Sequence, residues 1–186
     1  FLRAGDEPVY IGFGSMVSGD MGELAEIIRQ AVKLSGVRAV VALGWGQQEA
    51  KTKDANIFYV KSVPHDWLFP HMAGAVHHGG AGTTATSLRH ALPTLVVPFG
   101  GDQPFWAERV YAAGCGPKAI PRDKLTAENL AEGLRALISN PEYTRNAACI
   151  GEALRNEHGC ANAADLIEKA VWDWENGNPA QDGTNI

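Results

Sequence analysis

Gly74-Ala75-Val76-His77-His78-Gly79-Gly80-Ala81-Gly82-Thr83-Thr84 is the stretch on which the fold turns. Its first four residues read as a short buried strand, and residues 83–90 read as a helix. Between them, glycine fills three of four positions, so the chain can reverse without a Cβ in the way. A strand that passes through such a turn into a helix is the unit from which parallel sheets are built.

The same alternation extends in both directions. Toward the amino end, Val9-Tyr10-Ile11-Gly12-Phe13 is an apolar run that stops at Gly14-Ser15. Residues 21–35 place Leu24, Ile27, Ile28, Ala31, Val32 and Leu34 at helical spacing, with Gly36 as the stop. Residues 37–43, closed by Gly44 and Gly46, and residues 56–60 are predicted as the second and third strands. A short helical segment over residues 65–71 leads back to the opening stretch. Toward the carboxyl end, residues 93–98 are a fifth strand, with a helix over residues 104–113, and residues 118–120 are a short sixth. Closing helices are predicted over residues 129–138, 142–157 and 162–175. Strands that are apolar throughout, alternating with helices, indicate a sheet covered on both faces. The predicted fold class is α/β, a doubly wound parallel sheet, filling residues 1–175. The polar residues 176–186 are expected to form a flexible tail.

Composition removes several function classes. Apolar residues make up 45% and charged residues 20%, as in globular domains. The net charge of −5 comes without a basic stripe, so nucleic acid is not an expected partner. No apolar run approaches the roughly 20 residues of a membrane span. Cys115, Cys149 and Cys160 are odd in number and form no CxxC pair, so all three are read as packing residues in a reducing compartment. The expected location is cytoplasmic, with peripheral membrane association of the full-length protein.

The chemistry should gather at the carboxyl ends of the strands, near the point where strand order reverses. The helix that follows His77-His78-Gly79-Gly80 begins with unsatisfied N–H groups and the positive end of its dipole, which suits a phosphate. Thr83 and Thr84 add hydroxyls and His78 adds a proton. The plain alternative is a tight turn with threonine as the helix cap. Gly12-Phe13-Gly14-Ser15 should lie beside this turn, but it lacks the GxGxxG spacing of a dinucleotide site and the GxxxxGK[ST] of a P-loop. After the fifth strand, Gly100-Gly101-Asp102-Gln103-Pro104 offers adjacent acceptor and donor groups of the kind vicinal sugar hydroxyls require. The competing reading makes Asp102 the cap of the helix that Pro104 starts. The paired histidines are not read as a metal site, since strand neighbours point to opposite faces.

The segments GFGS, VPHDWLFPH, HHGGAGTT and PFGGDQPFWAERV together resemble the carboxyl-terminal domain of GT-B UDP-sugar glycosyltransferases. The resemblance is to sterol 3-β-glucosyltransferases first and antibiotic-aglycone glycosyltransferases of actinomycetes next, and it covers residues 8–168. It implies a Rossmann-like half of a GT-B fold that takes a UDP-sugar as substrate, with no cofactor and no metal. By residue, it implies diphosphate contacts from Ser15, His78, Gly80, Gly82, Thr83 and Thr84. The base would lie against Ser62, Val63 and Pro64, and the sugar hydroxyls would meet Asp102 and Gln103. The chain departs from the plant pattern where Ser62 stands near the usual uracil-stacking tryptophan and Thr86 stands for a ribose-holding glutamate.

The resemblance also implies an inverting transfer of a hexose, expected to be glucose, to a hydroxyl of a lipophilic acceptor such as a sterol. The general base would be a histidine of an amino-terminal acceptor-binding domain, which is the expected partner. Since the chain opens on Phe1, where the family's interdomain linker would end, it reads as an excised domain that binds donor and transfers little by itself. A nucleotide-sugar binding module without transferase activity is the alternative, and a UDP-N-acetylglucosamine epimerase a third. Trp172 and Trp174 near the carboxyl end, two residues apart, cannot both face one core and are expected to give weak self-association.

Overall fold

The computed structural model describes residues 1–14, 21–42 and 54–177. Five strands form one sheet: β1 (Val9–Gly12), β2 (Ala39–Ala42), β3 (Ile57–Val60), β4 (Gly74–His77) and β5 (Thr94–Val96). Their order is β3-β2-β1-β4-β5 and every pairing is parallel. Strand order thus runs outward in both directions from the centre and reverses between β1 and β4. The predicted doubly wound α/β sheet is the one observed. Among the described residues the α-helices are α1 (Met21–Ser35), α2 (His65–Leu68), α3 (Ala81–Arg89), α4 (Gln103–Ala112), α5 (Ala127–Ser139), α6 (Pro141–Asn156) and α7 (Gly159–Glu175). The connection from β2 to β3, with Gly44 and Gly46, falls largely outside the described residues, as do residues 178–186.

The sheet is buried on both faces because each strand sends alternate side chains to different cores. Val9, Ile11, Val41, Val76 and Leu95 point to one side, where Leu24 and Ile28 of α1 and Leu130, Leu134 and Leu137 of α5 cover them. Tyr10, Val40 and Ala75 point to the other, against Leu68, Phe69 and Met72. Beyond them on that side, Val96 meets Leu88 of α3, Ala107 and Val110 of α4, and Ala147 of α6. The chain divides into two compact units, Phe1–Leu154 and Arg155–Ile186. The first contains the whole sheet. The second contains α7, in which Trp172 and Trp174 are both exposed.

Four expectations need correction. α3 starts at Ala81, because the backbone of Gly80 is already extended at the N-cap position and the helix follows at once. α5 starts at Ala127 rather than residue 129 because Thr126 and Asn129 form a capping box, each side chain accepting the other's backbone N–H. Residues 118–120 do not form a strand. The segment runs along β5, with Thr94 N–H donating to Cys115 O at 2.8 Å and Ile120 N–H to Val96 O at 3.0 Å. Pro117 has no N–H to give, so no continuous ladder develops. Of the three cysteines read as packing residues, Cys115 is buried, whereas Cys149 and Cys160 are exposed.

The close passage of this segment past β5 depends on Gly116, where a Cβ would stand 1.8 Å from the carbonyl oxygen of Thr94. Backbone cannot yield as a side chain can. Gly116→Ala is expected to lower unfolding free energy by about 3 kcal/mol, read from the urea midpoint. An unchanged midpoint would show that the segment is free to move away from β5.

Candidate functional site

β1 and β4 are hydrogen-bonded neighbours with Gly12 opposite His77, so the turns that leave them start side by side at the switch point. The two turns lie close together: a Cβ on Gly14 would meet Cε1 of His78 at 3.4 Å. Ser15 follows Gly14 and lies outside the described residues.

The β4 turn is shaped from within by His77. Its ring is fully buried, and Nδ1 accepts the N–H of Gly79 at 3.0 Å. Burial lowers its pKa to about 3, with His78 and His65 acting in the same direction. The ring is therefore neutral at pH 7, and the accepting Nδ1 places its proton on Nε2, which has no partner among the described residues. Gly79 takes a positive φ of 89°, and a Cβ there would strike Val96. The next ring, His78, is half-buried and lies across Gly80, where a Cβ would come within 2.5 Å of Nε2. Burial lowers the pKa of His78, and the nearby Asp102 carboxylate opposes that shift.

Gly80 is the N-cap of α3 and makes no side-chain cap bond. Thr84 N–H donates to Gly80 O at 2.9 Å, which leaves the amides of Ala81, Gly82 and Thr83 pointing out of the first turn. Threonine does not cap this helix. A Cβ on Gly82 would meet nothing within 4 Å. Thr83 is partly exposed, whereas Thr84 is 3% exposed, its hydroxyl enclosed and unpartnered. The loop thus presents open amides, one accessible hydroxyl and an imidazole on a helix N-terminus, a set suited to an anion.

The β5 turn brings Asp102 and Gln103. Asp102 holds the N-cap position of α4 without capping it, and its Oδ2 instead accepts the indole N–H of Trp106 at 2.8 Å. Gln103 is 5% exposed and accepts the N–H groups of Phe99 and Gly100 through Oε1, at 2.7 and 3.2 Å. The β3 turn carries Ser62 and Pro64, both exposed, and Val63, which packs against the core. It is fixed by the next residue, since His65 Nε2 and the Tyr10 hydroxyl share a hydrogen bond at 3.1 Å. His65 also stacks on Phe69 at 4.5 Å. Thr86 donates its hydroxyl to Gly82 O at 2.8 Å, within its own helix.

His77, Tyr10, His65 and Trp106 were not among the sequence candidates, yet they hold the candidates in place. Some signal exists for two of them. Tyr10 and Gly12 are two apart on one strand face, where a ring can cross a missing Cβ. Asp102 and Trp106 are four apart on one helix. Among the described residues, no group of three or more His, Cys, Asp or Glu stands close enough to hold a metal ion.

Comparison with known proteins gives one family match. Residues 26–167 match the model of the erythromycin biosynthesis protein CIII-like, C-terminal domain. A sterol 3-beta-glucosyltransferase of Arabidopsis thaliana is 43% identical over 171 residues, covering 91% of this chain and 28% of its own length. Among solved structures, the glycotransferase of kitacinnamycin superposes with a TM-score of 0.75 at 25% identity, covering 90% of this chain and 44% of that one. Glycosyltransferase VinC, in complex with dTDP, gives 0.71 at 26% identity, again with 90% and 44% covered. The sheet and its helices have the architecture of a GT-B carboxyl-terminal half. This chain therefore spans less than a third of the curated relative's length.

The buried His77 gives the fold a measurable acid sensitivity. An unfolded histidine titrates near about 6.5, and the folded ring near about 3. The unfolded chain then binds more protons in acid, so this contribution is complete above about pH 6.5 and is lost as pH falls toward about 3. His77→Asn supplies a carboxamide oxygen for the Gly79 N–H without the titration. Its stability should fall less steeply over that interval, leaving the smaller same-sign slopes of His65 and His78. Equal slopes in both proteins would mean that His77 is not held neutral.

Proposed function

We infer function from family and site together: the chain belongs to the family of erythromycin biosynthesis protein CIII-like C-terminal domains, and the region around the carboxyl ends of β1 and β4 and the first turn of α3 is its nucleotide-sugar donor site. The chain is the donor-binding domain of an inverting, metal-independent glycosyltransferase that moves a hexose, glucose, from UDP to a hydroxyl of a lipophilic acceptor such as a sterol. The observation that carries this reading is the uncapped first turn of α3, with its free amides beside the ring of His78. The sterol relatives support the acceptor class and the dTDP bound by VinC supports a nucleoside diphosphate.

In this reading the diphosphate rests on His78, Gly80, Gly82 and Thr83, with Thr84 beneath, and Ser15 is assigned a further contact. The base lies along Ser62, Val63 and Pro64, and Asp102 and Gln103 face the sugar. Transfer breaks the bond between the anomeric carbon and the diphosphate oxygen, so negative charge grows on the leaving group. Helix amides and a proton on His78 are already aimed at that charge and need no reorganisation when it forms. The attacking hydroxyl must lose its proton to a general base. The reading assigns that base to an amino-terminal acceptor-binding domain.

Two measurements test the assignment. UDP at one hundred times its dissociation constant should raise stability by about 2.7 kcal/mol, with EDTA leaving the affinity unchanged. No thermal shift at saturating UDP would remove the donor site, and loss of affinity on chelation, restored by Mg²⁺, would remove the metal-free account.

The second concerns His78, whose pKa burial lowers in the free chain. A bound diphosphate favours its charged form, so binding takes up a proton and affinity should rise as pH falls from about 8 to about 6. UDP-glucose is the suitable ligand because its diphosphate has no group titrating in that interval. His78→Gln should flatten the profile, and a profile unchanged by the substitution would place His78 away from the phosphates.

A further inference from the structure

Both side chains assigned to the sugar have one end already engaged. Asp102 Oδ2 is held by the indole N–H of Trp106 at 2.8 Å, one helical turn further along α4. Oδ1 has no hydrogen-bond partner among the described residues. The carboxylate makes no cap bond, so the indole rather than the helix start sets its orientation. Gln103 Oε1 receives two backbone N–H groups, from Phe99 at 2.7 Å and Gly100 at 3.2 Å, which occupies both lone pairs. Two amide donors at one end also settle which end is oxygen. Nε2, a donor only, has no hydrogen-bond partner among the described residues.

We propose that Trp106 is a positioning residue for sugar recognition, fixing the orientation of the Asp102 acceptor, and that the Phe99 and Gly100 amides fix the hydrogen-bonding polarity of Gln103 beside it. Held through Oδ2, Asp102 accepts through Oδ1 from one sugar hydroxyl. Held through Oε1, Gln103 donates through Nε2 to the oxygen of a neighbouring hydroxyl. The ligand class selected is a hexose with two adjacent hydroxyls, one acting as donor and the next as acceptor. A freely rotating glutamine would read its hydroxyl in either sense, because it could turn its oxygen outward, whereas a carboxylate only accepts whichever way it turns. Here the loop backbone forbids that exchange. The inference rests on the donor-site reading and assigns Trp106 a role within it.

The test is a calorimetric titration of the full 186-residue chain with UDP and UDP-glucose, comparing the native protein, Trp106→Phe and Asp102→Ala. Phenylalanine retains a ring and removes the N–H. Trp106→Phe should bind UDP as the native chain does and UDP-glucose about fivefold more weakly, the loss expected for one hydrogen bond. Asp102→Ala should show the same selectivity with at least as large a loss. A second arm uses the native chain and UDP-glucose analogues in which each ring hydroxyl is replaced in turn by hydrogen or by fluorine, which can accept but not donate. One position should lose affinity with either replacement, facing Asp102, and its neighbour should lose it with hydrogen but less with fluorine, facing Gln103. If Asp102→Ala discriminates between the ligands and a folded Trp106→Phe binds both as the native chain does, the donor site stands and the role of Trp106 is overturned. If Asp102→Ala weakens both ligands equally, the sugar reading itself fails and the proposal with it. Should Trp106→Phe not fold, the analogues decide, and equal losses with hydrogen and fluorine at every sensitive position overturn the fixed polarity.

Discussion

The hydrogen bond from Gly79 N–H to Nδ1 of His77, closed inside the protein at 3.0 Å, sets the direction in which the chain leaves the centre of the sheet. It spans only two residues, so it determines the turn itself rather than a distant packing arrangement. With Gly79 held at positive φ, where a Cβ would strike Val96, Gly80 becomes the N-cap and α3 begins directly after it. A charged imidazole could not make this bond, since both its nitrogens would donate. Full burial, which keeps the ring neutral, is thus a condition for the shape of the loop.

A second set of contacts ties the edge turns to that centre. The Tyr10 ring passes over Gly12, where a Cβ would lie 2.2 Å from its hydroxyl, and reaches His65 just beyond the β3 turn. Tyr10 and His65 both pack on Phe69, which is fully buried. Burial raises the Tyr10 pKa to about 12 and lowers that of His65, so the pair remains uncharged near neutrality. At the β5 turn the equivalent work is done by Trp106 on Asp102 and by loop amides on Gln103. In each case a side chain on a strand or helix is tied to a residue in or beside a turn. Such restraint holds a recognition site within the tolerance that directional hydrogen bonds demand.

Much of this was legible in the chain itself. β4, and the helix after β5 to within a residue at each end, follow from hydrophobic runs and breakers, because a strand buried on both faces can hardly be anything but apolar. The three turns at the carboxyl ends were legible as glycine clusters bordering polar residues, since backbone can approach a ligand closely only where side chains are small. The misreadings have physical causes as well. Residues 118–120 run beside β5 but follow Pro117, which has no N–H for the ladder, and Cys149 and Cys160 have no local pattern that separates an exposed cysteine from a buried one.

By itself, then, the sequence determined the parallel α/β class, the sites of the loops and the chemical types gathered in them, because these depend on local spacing and on which residues can be buried. Tertiary structure alone decided how those groups are used. That Asp102 answers to an indole instead of capping α4, that Gln103 has only its nitrogen left to offer, and that the Thr84 hydroxyl is enclosed while Thr83 is accessible all depend on neighbours brought together in space. A polar side chain carries several donors and acceptors, and its sequence position does not reveal which are already engaged. Packing consumes some of them, and what remains is the recognition surface.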